Sequence, residues 1–330
     1  MIILISDTHF GCRQNSITWL DSQMKFFYDQ LIPFIRQQKE QVHIYHLGDV
    51  FDSRSSISLL VANRVKNLFK DLSKVASEII IIGGNHDYYS PVENEDNINS
   101  LRLILGDLED SQKFFIVDKE FKALPERGEL FIPWFRYYDF DKIEEFIKSG
   151  EYNRIYIHND LTVTLEDRYR NLFSGCSVYS GHIHTPKHID NLHTIGSTFA
   201  LTFTDANSNR GFYTMSDDGS NFQFHPNVCS IRFWRWYNGD IFGNHTADRN
   251  DYVELYINQD NMSKDSYVQR MRELSKQFTN IAIIPITTYK FEDNSTDFEQ
   301  YDIQGICSQN IPESLKEKFD KISSEDYENI

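Results

Sequence analysis

Apolar residues fall along this chain in two rhythms. In 17–37, Leu20, Met24, Phe27, Leu31, Phe34 and Ile35 recur at helical spacing, and in 57–75 so do Ile57, Leu60, Val61, Val65, Leu68, Leu72 and Val75. Residues three and four apart share one face of a helix, so both stretches predict amphipathic helices. Around them lie short apolar segments at 2–5 (IILI), 42–47 (VHIYHL) and 79–82 (IIII). Runs of that length, bounded by turn residues, predict strands covered on both faces. Their alternation with helices predicts βαβ units.

The second half is richer in strands. Segments 113–118, 129–135, 154–160, 176–184, 192–197 and 210–216 each read as a strand followed by a turn, with one short helix at 139–150. Near residue 245 the character changes. A strand (DYVELYINQ), a helix (SKDSYVQRMRELSKQF) and a strand (NIAIIPITTYKF) make a unit of their own. After about 295 the chain is weakly patterned, with one short helix expected at 312–322. The expected organisation is a main domain over 1–245, a small α+β unit over 246–295 and a tail over 296–330.

The polar residues change the picture, because they cluster where strands end. Asp7-Thr8-His9 follows 2–5, and Gly48-Asp49 follows 42–47. The stretch EIIIIGGNHDYYS (78–90) runs from four isoleucines straight into Gly84-Asn85-His86-Asp87. His158-Asn159 follows 155–157, and Gly181-His182-Ile183-His184 follows 178–179. Ligands of open α/β sheets sit beyond the carboxyl ends of the strands. Five strands delivering Asp, Asn or His to that edge would converge on one pocket. Asp-x-His and Gly-Asp alone are common turns, and His158 alone would read as a core histidine; Gly-Asn-His-Asp and Gly-His-x-His are rarer, and the ordered series is very hard to produce by turn chemistry.

Carboxylate, amide oxygen and imidazole together suit manganese, iron or similar cations, and a donor set without cysteine argues against structural zinc. Asp7, His9, Asp49, Asn85, His158, His182 and His184 are more ligands than one ion needs. Two ions sharing a carboxylate would use them all, with Asp49 as the bridge because Gly48 permits close approach. Metals about 4 Å apart are the standard device for phosphoester hydrolysis. His43, His46, His188, His193, His225 and His245 lack such a context and read as structural or surface residues.

Composition narrows the partners. The 40% hydrophobic fraction supports a core, and no apolar run reaches the length of a membrane span. Cys12, Cys176, Cys229 and Cys307 are far apart, so free thiols are expected rather than a disulfide framework. With an N-terminus that lacks a basic leader, a cytoplasmic protein is expected. The net charge of −16 excludes a general nucleic-acid coat. Part of it lies in 290–330, where eleven acidic residues face four basic ones, as in solvated or partner-binding tails. DNA contacts would therefore be local. Arg13 and Arg54 flank the metal motifs, and SIRFWRWYNG (230–239) interleaves Arg232 and Arg235 with aromatic rings.

The motifs DTH, GDVFD, GNHD, HND and GHIH resemble those of the calcineurin-like metallophosphoesterases. Within that superfamily the chain is similar to the SbcD-type DNA repair nucleases, and in length and layout to the recombination endonuclease subunits of T-even-like phages. FIPWF (131–135) and IGSTFALTFTDANSNRGFY (195–213) resemble further stretches of that group. The resemblance covers about 1–240, and 250–292 looks like the family's DNA-binding cap.

The resemblance implies an α/β fold: a β-sandwich of mixed sheets flanked by helices, with a small α+β cap. It implies one metal on Asp7, His9, Asp49 and His184, and another on Asp49, Asn85, His158 and His182. Manganese is the usual ion, with magnesium or iron as alternatives. His86 would act on the scissile phosphate or the leaving oxygen, with Asp87 orienting it. Asp52 stands where archaeal and eukaryotic relatives carry histidine and bacterial ones aspartate, so no proton transfer is assigned to it. The implied partners are DNA, an SbcC-like coiled-coil ATPase and a second copy of the chain, with no membrane. The implied activity is exonuclease and single-strand endonuclease cleavage of DNA. The competing readings are a phosphodiesterase acting on a small nucleotide and a scaffold that has lost catalysis; the seven filled ligand positions argue against the scaffold.

Overall fold

The structure, a computed structural model, describes residues 1–89, 98–134, 140–148, 150–160, 171–205, 208–237, 251–258, 268–269, 272–273, 276 and 280–286. Met1–Ile286 forms one compact unit; the second unit, Thr287–Ile330, lies outside the described residues, and with it the expected 312–322 helix.

Strands β1 (Ile2–Ile5), β2 (His43–His46), β3 (Glu78–Ile82) and β4 (Phe114–Val117) run parallel in that order. In the second sheet, β5 (Lys122–Leu124) pairs antiparallel with β6 (Glu129–Ile132). β6 then runs parallel to β7 (Arg154–His158), β8 (Ser177–Gly181) and, beyond it, β10 (Leu192–Thr194), with β9 (Lys187–Ile189) antiparallel at the edge. The first sheet is completed by antiparallel β11 (Gly211–Met215) beside β1, and β12 (Gln223–Pro226) outside it. A third sheet of β13 (Phe233–Tyr237), β14 (Tyr252–Asn258) and β15 (Asn280–Ile286) is wholly parallel.

The strand period of two explains the layers. Ile2, Leu4, Tyr45, Leu47, Ile80 and Ile82 point between the two large sheets, where they meet Phe131, Tyr156 and Tyr179. Ile3, Ile5, Ile44, Ile79 and Ile81 point the other way, under the helices Ile17–Lys25, Ile32–Gln37 and Leu59–Val75. On the far side, Leu130, Ile132, Ile155, Ile157 and Val178 pack under Ile143 and Ile147 of the helix Phe140–Lys148. The isoleucine run of β3 therefore serves two cores at once. The chain is a mixed α/β sandwich flanked by helices, the fold class expected.

Helix details refine the pattern. Leu59–Val75 starts where Ser58 Oγ accepts the Val61 N–H at 3.3 Å, an N-cap. Its buried stripe is Val61, Val65, Leu68, Phe69 and Leu72, whereas Leu60, expected on that face, is 42% exposed. One residue off the stripe rotates a side chain by about 100°. The expected 17–37 helix is interrupted at Phe26–Leu31 by a π-helical turn that buries both Phe26 and Phe27. Among the described residues, no helix is long and apolar enough to cross a membrane.

Candidate metal centre

The carboxyl ends of β1, β2 and β3 in one sheet, and of β7 and β8 in the other, meet at one edge of the sandwich. Asp7, His9, Asp49 and His182 all adopt positive φ there, at 49°, 46°, 53° and 78°. Such backbone is rare outside glycine, costs on the order of 1–3 kcal/mol and persists only where its surroundings enforce it. They do: Asp7 N–H donates to the Gly48 carbonyl and His9 N–H to that of Asp49, each at 3.1 Å. Gln23, buried on its helix, donates to the Thr8 carbonyl at 2.6 Å.

Among the described residues, ligand-type atoms gather within 4.8 Å of one another in three groups: Asp7, His9 and His184; Asp49, His158 and His182; and His9, Asp49 and His86. The first two overlap the ligand sets expected from the sequence, and Asp49 occurs in two of the three. Nε2 of His9 lies 3.2 Å from Nε2 of His184 and 3.6 Å from Oδ2 of Asp49. Asn85 Oδ1 lies 2.8 Å from Nδ1 of His182 and 3.1 Å from Nε2 of His158.

The proton inventory tests whether a cation fits. Nδ1 of His158 sits 2.6 Å from the Leu47 carbonyl, which only accepts, so Nδ1 carries a proton. In the neutral ring, Nε2 then aims a lone pair at Asn85 Oδ1 and at Asp49 Oδ2, 3.4 Å away. Acceptors facing acceptors in a buried pocket need either extra protons or a cation. Without a cation the protons are held: burial opposes it, but Asp49 raises His158 to about 9. Likewise burial would lower His9, yet Asp52, Asp49 and Asp7 together raise it. Asp49, although penalised by burial, is drawn well below the usual carboxylate range by His158. His182 and His184 are lowered chiefly by burial, which favours the neutral ring that a metal ligand needs. This donor set fits divalent metal.

Other expected site residues are placed differently. Asp87 does not hold the ring of His86. Its carboxylate accepts the N–H groups of Gly84 at 2.9 Å and Phe51 at 3.1 Å, pinning the loop after β3 to the loop after β2. His86 instead meets the Asp52 carbonyl through Nδ1 at 2.5 Å, while its N–H donates to Asp49 Oδ1 at 2.8 Å. Arg13 is engaged away from the candidate ligands. It donates to the Leu201 carbonyl at 3.1 Å and stacks over Trp19 and Tyr252. Arg232 is paired with Asp251 at 2.9 Å and Arg235 with Glu254 at 3.1 Å, so their charges are balanced across β13 and β14. Both border a cavity of about 1300 Å³ that Lys25 and Trp234 also line. Arg54 is half-buried in the turn beyond Asp52.

Two residues make contacts that the sequence reading did not assign to them. Asp52 Oδ1 stands 3.2 Å from Nδ1 of His9. Asp205 is buried with Oδ2 4.0 Å from Nδ1 of His184, within the stretch 195–213 for which the sequence offered no task. GDVFD and the stretch 195–213 mark the segments, but no local pattern marks the task of either side chain, because each histidine partner comes from a distant segment.

The sequence profile of calcineurin-like phosphoesterases matches residues 1–218. Exonuclease subunit 1 of Enterobacteria phage T4 is 24% identical over 237 residues, 68% of this chain and 67% of that protein. The crystal structure of the Pseudomonas putida nuclease MPE aligns with 64% of this chain and 83% of its own at 14% identity, with a TM-score of 0.30, too loose for any comparison of sites.

Proposed function

The chain belongs to the calcineurin-like phosphoesterase family, and from that premise we propose that it is the nuclease subunit of an SbcCD-like complex, hydrolysing DNA phosphodiesters with two divalent metals, manganese by preference. The observation that carries the metal chemistry is the convergence of buried, mutually repelling acceptors around Asp49. DNA as substrate is supported by the similarity to the phage T4 exonuclease subunit. A coiled-coil ATPase partner, a homodimer and a DNA-binding role for 246–295 follow from the same resemblance.

In this reading Asp7, His9, Asp49 and His184 hold one ion, and Asp49, Asn85, His158 and His182 the other. Bound there, such ions neutralise charge on the phosphoryl group and acidify water at neutral pH. The chain's own residues supply the alignment. Asp87 fixes the two loops that carry Asp49 and Asn85 to each other. The contact with the Asp52 carbonyl puts a proton on Nδ1 of His86, which leaves Nε2 as the ring nitrogen that would act on the phosphate in this reading. Arg54 is retained as a phosphate contact. Arg13 is assigned to holding the 201–205 loop instead.

The test is manganese-dependent cleavage of linear duplex DNA by the wild-type chain after chelation and metal replacement. Cleavage restored by manganese supports the reading. Rapid turnover of cyclic nucleotides or bis-p-nitrophenyl phosphate with inert DNA would favour the small-nucleotide phosphodiesterase instead.

A further inference from the structure

The loop 201–205 joins the metal cluster to the third sheet. At one end Phe203 packs against Phe233 and Tyr252, with ring centroids 5.2 and 5.7 Å apart. At the other end lies Asp205, 4% exposed. Its Oδ2 accepts the N–H groups of Leu201 and Thr202, both at 3.0 Å, and the Thr202 hydroxyl at 3.2 Å. Its Oδ1 accepts from Arg210 at 2.9 Å. Arg210, itself buried, also donates to Ser197 Oγ at 3.1 Å, and Ser197 N–H donates to the His184 carbonyl at 3.0 Å.

The ring of His184 is thus flanked on two sides. Its Nε2 faces His9, in the ligand group with Asp7. Its Nδ1 faces Oδ2 of Asp205 at 4.0 Å, about 1 Å beyond hydrogen-bond reach. Nothing has to be stranded to close that gap. The Thr202 hydroxyl already has Thr204 Oγ1 at 2.6 Å as an alternative partner, which frees a lone pair on Oδ2. Metal-ligating histidines generally donate their second ring nitrogen to a carboxylate or carbonyl, which fixes the tautomer and strengthens the ligand. His158 has the Leu47 carbonyl for this purpose and His9 has Asp52 beside it.

We propose that Asp205 is a positioning residue for His184: held rigid by Arg210, its carboxylate receives Nδ1–H and keeps Nε2 directed at the metal shared with Asp7 and His9. The proposal rests on the metallophosphoesterase reading. It assigns Asp205 a task beyond loop structure, and the isosteric change D205N separates the two. The amide oxygen preserves an acceptor for the loop N–H groups, while the change removes the charge that orients the imidazole and the charge that pairs with Arg210.

The experiment is manganese titration of the metal-free full chain, followed by electron paramagnetic resonance, with thermal melting of the metal-free protein alongside. In D205N one binding step weakens about 10- to 100-fold while the other stays within about 2-fold; the metal-free melting temperature falls because buried Arg210 loses its charged partner, and the selectivity for one binding step is what separates positioning from that loss. D205E, which keeps the carboxylate, recovers at least part of the lost affinity. Unchanged affinity at both steps overturns the proposal. So does equal weakening of both, or a D205E protein no better than D205N. A wild-type chain that binds no manganese would strike the metallophosphoesterase reading itself.

Discussion

Nε2 of His158 lies 3.4 Å from Oδ2 of Asp49, and neither side chain has more than a trace of solvent contact. In the absence of metal this pair is held together by a proton. His158 is raised from 6.5 to about 9, so its stabilisation is complete below pH 6.5 and is lost as pH rises towards 9. Asp87, pushed up to about 7 by burial and by Asp49, acts with the same sign between 3.8 and 7. The metal-free protein should therefore lose stability from pH 6 to pH 9, on the order of 3 kcal/mol from His158. Saturating divalent metal should reverse the trend, because metal displaces the proton and binds more tightly as pH rises. Melting curves at several pH values, with and without manganese, check both signs.

His86 touches the cluster without being needed to fill either ligand set. H86A should bind manganese within about 2-fold of wild type yet cleave linear duplex DNA at least about 100-fold more slowly, the usual range for a lost proton-transfer group. Single-turnover cleavage at saturating metal measures this; unaltered cleavage would remove His86 from the reaction.

Gly84 is where the loop after β3 crosses the loop after β2. A Cβ there would sit 2.2 Å from both the backbone nitrogen and Oδ1 of Asp49. Neither can yield without displacing the shared ligand. G84A should keep its far-ultraviolet circular dichroism but lose at least about 10-fold in metal affinity, since ligand placement is worth that much. Calorimetric titration would show it.

Away from the site, Glu129 is fully buried between the sheets and accepts from Tyr45 at 2.9 Å, Tyr156 at 3.0 Å and Arg154 at 3.1 Å. E129A leaves Arg154 as a buried cation without this carboxylate. Such a loss costs about 3–5 kcal/mol. Urea unfolding should show it, while cleavage per folded molecule at saturating metal stays near that of wild type.

The sandwich was legible because β1, β2 and β3 announce themselves as apolar runs ending in polar loops, and those loops together with the ends of β7 and β8 carry the whole candidate ligand set. Distant pairings were not legible. Arg232 and Arg235 looked available for DNA because Asp251 and Glu254, which balance them, arrive only when β14 pairs with β13. Asp87 follows His86 directly and was expected to serve it. The turn Gly84–Asp87 points the carboxylate back at its own loop and at Phe51 instead. Asp205 gained meaning only when Arg210 and His184 closed around it.

The central claim is a two-metal cluster built around one shared carboxylate. Native mass spectrometry of the chain after manganese loading tests it most directly, with D49N as the comparison. The account predicts two ions per wild-type chain and loss of both in D49N. A single ion in wild type, or two ions retained by D49N, would contradict it.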